Sequence, residues 1–96
     1  MNRDVVFSNI AKLDFKAIRD YIAERNPKAA ASVILRIREE CRRLGSMPFT
    51  GSACDDLQPG LHFRVVGKYV VFYRVTDDVV WIQRVLHGAR DFGKLL

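Results

Sequence analysis

Histidine, cysteine, proline and tryptophan are scarce in this 96-residue chain, at two, two, three and one. Two cysteines, Cys41 and Cys54, make neither a disulfide framework nor a metal-ligand set. His62 and His87 are the only imidazoles, and no acidic cluster accompanies them, so no metal is expected. There is no G-x-S-x-G elbow, no Cys–His pair with supporting spacing and no GxxxxGK phosphate loop. Hydrolysis through an activated nucleophile, nucleotide binding and a bound cofactor are therefore not expected. No apolar run reaches the ~20 residues of a membrane span. The opening MNRDVVFSNIAKLDFKAI has no continuous apolar core and no small-residue cleavage site, so no secretory signal is visible and the expected location is the cytoplasm.

What the chain does have lies mainly in residues 61–91. Gly67-Lys68 separates LHFRVV from YVVFYRV, and Asp77-Asp78 separates the latter from VVWIQRVLH. The runs are rich in β-branched and aromatic residues, which predicts a three-stranded antiparallel meander. If both hairpin loops are even, period-two alternation puts Leu61, Phe63, Val65, Val70, Phe72, Trp81 and Val85 on one face, apolar enough to receive helices. His62, Arg64, Val66, Tyr69, Val71, Tyr73, Ile82, Arg84 and Leu86 would then form an open face suited to binding.

Upstream, Arg3 to Phe7 reads as a short strand added to this sheet. Ser8 is a candidate N-cap for a helix to about Arg25, with Ile10, Leu13, Ala17, Ile18, Tyr21 and Ile22 as its apolar stripe. Asn26-Pro27 restarts a second helix, since Asn caps and Pro is tolerated at the first helical position. Ala30, Val33, Ile34, Ile37, Cys41 and Leu44 make its stripe, and Gly45 is expected to terminate it. A connection this tight makes an antiparallel helix hairpin. Segment 47–60 reads as an irregular surface loop pinned by Phe49 and Leu57. The expected fold is α+β, one domain over 1–96 in the order β-α-α-β-β-β, with the helix hairpin packed on one face of a small, mainly antiparallel sheet.

The net charge is +5, and the excess lies in the second helix and the meander. Such a distribution points to an anionic partner, nucleic acid or an acidic protein. Metal-free RNA cleavage needs a base, an acid and phosphate-holding cations. His62, Arg64, Tyr73 and Arg84 have suitable chemistry. Plainer roles stand beside this chemistry: Tyr73 and Arg84 as sheet residues with polar tips in solvent, His87 as a strand-end hydrogen bonder, Arg90 and Asp91 as partners of each other.

Taken together, YIAERNPKAA at the helix bend, MPFTG and DLQPGL in the loop, GKYVVFYRV, and the closing RVLHGARD resemble the ParE branch of the RelE/ParE toxin superfamily. The likeness covers nearly the whole chain. It implies a toxin of a type II toxin–antitoxin system, in a hetero-oligomer with a small ParD-like antitoxin that carries a ribbon–helix–helix DNA-binding part. It further implies inhibition of DNA gyrase; RelE-like relatives instead cut mRNA in the ribosome. No tyrosine follows the last strand, where several RNA-cleaving relatives place one, which favours gyrase. On this reading Arg84, His87, Arg90 and Lys94 would contact the target. Tyr69, Leu86 and Phe92 would be exposed anchors for an acidic, amphipathic antitoxin segment.

Overall fold

A computed structural model describes residues 2–91. Its elements are β1 (Asp4–Phe7), α1 (Asn9–Ala23), α2 (Pro27–Ser46), β2 (Ser52–Ala53), β3 (His62–Val66), β4 (Tyr69–Val75) and β5 (Val79–His87). The sheet order is β1-β5-β4-β3-β2; β1 runs parallel to β5 and the other neighbours are antiparallel. The α+β fold is as expected, with one addition: segment 47–60 contributes the two-residue edge strand β2.

The helix starts follow their caps. Ser8 Oγ accepts from the Ala11 N–H at 3.0 Å, and Asn26 Oδ1 from that of Ala29 at 3.1 Å, each satisfying a first-turn donor. Ser8 also donates to the Gln83 carbonyl at 2.8 Å, which ties the start of α1 to β5. Gly67, at φ +61°, sits first in the two-residue β3–β4 turn, the glycine position of a type II′ hairpin.

Gly45 does not stop α2, which runs to Ser46. Its role is close approach. A Cβ there would lie 2.6 Å from the Arg3 carbonyl oxygen, while the Arg3 N–H donates to the Gly45 carbonyl at 2.7 Å. The α1 stripe also differs from expectation. Ala11, Phe15 and Ile18 are buried, whereas Ile10, Leu13 and Tyr21 are exposed. Asp14 lies on the inward side and bonds to the sheet, which rotates the buried face away from Leu13.

The helices cover the sheet face opposite to the one expected. Val66, Tyr69, Val71, Tyr73, Val80, Ile82 and Val85 pack with Phe15, Ile18, Ile37, Cys41 and Leu44. Each such side chain contributes roughly 1.5–3 kcal/mol on burial. On the other face Leu61, Phe72 and Leu86 are buried with Phe63, Val70, Cys54 and Leu57 against them. The loop closes over that face: Arg74 of β4 donates to the Pro59 carbonyl and to Gln58 Oε1, and Gly60 N–H donates to Asp55. Leu57 does pin the loop, but Phe49 is 66% exposed.

Both hairpin loops are even, so the expected grouping of residues holds through β3, β4 and the start of β5, and parity fails only further along β5. Phe72 pairs with Arg84 and Tyr73 with Ile82, so Gln83 is an extra residue, a β-bulge. Val85 consequently faces the helices, as expected, although Phe72 and Trp81 of the same expected set do not.

Candidate functional site: an apolar groove with a cationic rim

The four residues with RNA-cleaving chemistry are built into the framework. Arg64 on β3 donates from Nε and Nη2 to Glu40 Oε2 of α2 at 3.0 and 2.8 Å, and from Nη1 to Thr50 Oγ1 at 3.3 Å. Arg84 on β5 donates from Nε and Nη2 to the Asp14 carboxylate of α1 at 2.9 and 3.0 Å. The hydrogen bond to Asp14 raises the Arg84 pKa further, so this charge is fixed. The Tyr73 side chain is fully buried; its hydroxyl donates to the Pro48 carbonyl at 2.8 Å and accepts from Gly51 N–H at 3.2 Å. Burial pushes its phenol pKa up, away from any general-base role near neutrality. His62 stacks on Tyr73 at 5.5 Å, with Nδ1 3.2 Å from the Gly60 carbonyl. His62, Arg64 and Tyr73 therefore meet beneath the 48–51 loop, while Arg84 is held by the other helix.

A separate groove opens between the helix bend and the β3–β4 turn, with a volume of about 620 Å³. Ile22, Val33, Ile37, Val66 and Tyr69 give it an apolar floor, and Arg25, Arg36, Lys68 and Arg90 line its rim. Arg90 is placed by three contacts. Its guanidinium lies 4.5 Å over the Tyr21 ring, its Nε and Nη2 donate to Asp91 at 3.1 Å, and its N–H donates to His87 Nδ1, also at 3.1 Å. As the acceptor, Nδ1 carries no proton, so Nε2 bears it in the neutral ring. Asp91 in turn accepts from the His87 N–H at 3.4 Å and raises the Arg90 pKa. The HGARD turn is thus a closed set of bonds that presents one arginine to the groove.

Of the target-binding candidates, His87 and Arg90 line this groove, Arg84 does not, and Lys94 lies outside the described residues. Of the apolar anchors, Tyr69 forms part of the floor but is only 8% exposed, because the helices cover its face. Leu86 is 3% exposed within the outer cluster, not an open anchor. Phe92 lies outside the described residues. Tyr21, Arg25, Arg36 and Lys68 were not anticipated as site residues. Tyr21 reads from spacing as part of the apolar stripe of α1, and nothing in local spacing reveals that a helix bend and a distant hairpin share a groove. Among the described residues, no three His, Cys, Asp or Glu side chains group as metal ligands, and no helix is long and apolar enough to cross a membrane.

This architecture is that of a small toxin fold. The chain superposes on the toxin of the chromosomal ParDE system from P. aeruginosa with a TM-score of 0.78 at 19% identity, over 88% of this chain and 95% of that one. A toxin named RelE2 from Caulobacter vibrioides is 37% identical over 86 residues, 90% of this chain and 96% of the relative. A toxin named ParE1 from Mycobacterium tuberculosis is 30% identical over 98 residues, the full length of both. The family model for the ParE toxin of type II toxin–antitoxin systems matches residues 5–92. The chain belongs to that family, within the ParE/RelE superfamily.

Proposed function

We propose that this toxin arrests growth by binding DNA gyrase without cutting RNA itself, and that a cognate antitoxin of ParD type neutralises it. The observation that carries the reading is the use of Arg64, Arg84 and Tyr73 as structural ties. Ribonuclease chemistry needs cations open to a phosphate and a titrating group able to move a proton. Here both arginines hold helix carboxylates and the phenol is buried with donor and acceptor engaged.

The groove supplies the place for neutralisation. An amphipathic segment with aliphatic or aromatic anchors would cover Ile22, Val33 and Val66, and carboxylates on its flank would meet Arg25, Arg36 and Lys68. An antitoxin with a ribbon–helix–helix part would add DNA binding to the hetero-oligomer.

Purified toxin is expected to block gyrase supercoiling or to trap cleaved DNA, and added antitoxin to restore turnover. The RelE2 name of the 37% identical relative keeps ribosome-dependent mRNA cleavage as the second reading. That activity would require Arg64 and Arg84 to leave Glu40 and Asp14 on engaging RNA. Primer extension after induction separates the two. Discrete cuts in translated codons, with gyrase unaffected at micromolar toxin, overturn the gyrase reading.

A further inference from the structure

The groove leaves a second group of cations unexplained. Lys12, Lys16 and Arg19 of α1 meet Arg38 of α2 around a cleft of about 170 Å³, with Phe15 and Ile34 at its base. All four cations are exposed. Among the described residues no carboxylate pairs with Lys12, Lys16 or Arg38. Arg19 approaches Asp20 at 3.5 Å, with both side chains more than half exposed, a pair worth little in water. The Arg38 guanidinium is held 4.9 Å over the Phe15 ring and 5.7 Å from that of Phe7, so its flat donor fork is already oriented.

Spacing and depth identify the ligand. At 1.5 Å per residue, Lys12 and Lys16 stand about 6 Å apart along the helix and Lys12 and Arg19 about 10.5 Å. Each strand of duplex DNA carries a negative charge every ~3.4 Å of axis, so a ridge of that length follows one strand past about three phosphates. The cleft is too small to seat the apolar side chains that anchor an acidic peptide. Phe15 is 4% exposed beneath Arg38 and offers no platform for an unstacked base, which single-stranded nucleic acids require. We infer that the outer cleft of the helix hairpin binds the phosphodiester backbone of duplex DNA. This surface goes beyond the gyrase reading, since DNA is what gyrase holds, but binding to DNA alone does not depend on it.

The test is fluorescence anisotropy of a labelled duplex with the full-length toxin across a salt series. Lys12→Gln with Lys16→Gln removes two phosphate contacts. The slope of log K against log salt should become shallower by about 1.8, and binding at about 0.1 M salt should weaken by on the order of 10²-fold. Lys28→Gln with Arg43→Gln changes the net charge equally outside the cleft and should leave the slope unchanged. Glutamine keeps helix propensity at these exposed positions, and circular dichroism checks the fold. Equal effects from the two pairs mean general charge attraction and overturn the proposal. So does no measurable duplex binding, or tighter binding of single-stranded RNA than of duplex. A toxin that binds duplex through Lys12 and Lys16 yet spares gyrase would sink the gyrase reading and leave this surface standing.

Discussion

Replacing Asp14 by alanine tests what fastens the helix hairpin to the sheet. The carboxylate accepts three hydrogen bonds: Arg84 Nε at 2.9 Å, Arg84 Nη2 at 3.0 Å and the Val85 N–H at 3.0 Å. The Arg84 and Asp14 side chains are 21% and 12% exposed. Breaking a fully buried ion pair costs roughly 3–5 kcal/mol, because a charge stays desolvated without its partner. A fully exposed pair contributes at most about 1 kcal/mol. Partial burial, a bidentate arginine and an added backbone donor place Asp14→Ala between them, at about 2–3 kcal/mol. In a domain of this size each kcal/mol moves Tm by about 4–8 °C, so the melt should fall by roughly 10–20 °C. Urea unfolding followed by circular dichroism gives the free energy directly. A double-mutant cycle with Arg84→Met isolates the pair, and a coupling above about 1 kcal/mol is expected for groups that bond directly. Asp14→Asn should fall between wild type and alanine, since it keeps an acceptor but loses the charge. A loss under about 0.5 kcal/mol, the scale of ordinary surface changes, or an additive cycle, would refute the claim that this pair ties α1 to β5.

Gly45→Ala drives a Cβ into the Arg3 carbonyl oxygen, a backbone atom that cannot rotate away. The expected loss is about 1–3 kcal/mol in thermal melts, with faster hydrogen exchange at Val5 and Val6; unchanged exchange would mean that β1 does not depend on this approach. Tyr73→Phe leaves the Pro48 carbonyl and the Gly51 N–H without their partner and should cost about 1–3 kcal/mol. The folded-state pKa of this phenol is raised above its usual 10.0, so its contribution is intact below pH 10 and is lost as pH climbs from 10 through the folded value. Wild type should therefore lose more stability than Tyr73→Phe as pH rises above about 10, and parallel losses in urea midpoints would contradict the burial argument.

Local signals carried most of the fold. Ser8 and Asn26-Pro27 mark the helix starts by capping chemistry, and Gly67-Lys68 marks its hairpin by backbone freedom; each depends on neighbours within a few residues. The sheet faces were not legible because both are apolar. Leu61, Phe63 and Phe72 read as helix-facing and Leu86 as open, but the 54–60 loop packs on all four. A bulge at Gln83 then shifts the parity of β5, and alternation alone does not reveal an inserted residue. In α1, Ile10, Leu13 and Tyr21 outcompete Ala11 and Phe15 as a stripe until Asp14 is known to have a buried partner 70 residues away. The HGARD turn was half legible: Arg90 and Asp91 do pair, but the groove that Arg90 faces is assembled from three distant segments.

The same long-range pairing explains how a net charge of +5 becomes a divided surface. Arg64 and Arg84 sit on strands whose helix-facing neighbours are Val66, Tyr73, Ile82 and Val85. A guanidinium there needs an anion nearby, because the helices exclude much of its water. Glu40 and Asp14 supply it from the half-buried flanks of α2 and α1, and Asp91 does the same for the turn after β5. Asp14 is thereby turned inward, while Glu40 also reaches Arg43 and Asp91 holds Arg90, so none of the three meets the remaining exposed cations. Arg25, Arg36 and Lys68 are left around an apolar groove, and Lys12, Lys16 and Arg38 around a shallow cleft with little apolar surface. Charge beside apolar depth suits a folded peptide, whereas charge beside a capped, shallow floor suits a phosphate backbone. The internal ion pairs thus set the fold and, by removing acids from the surface, also make both outer sites cationic.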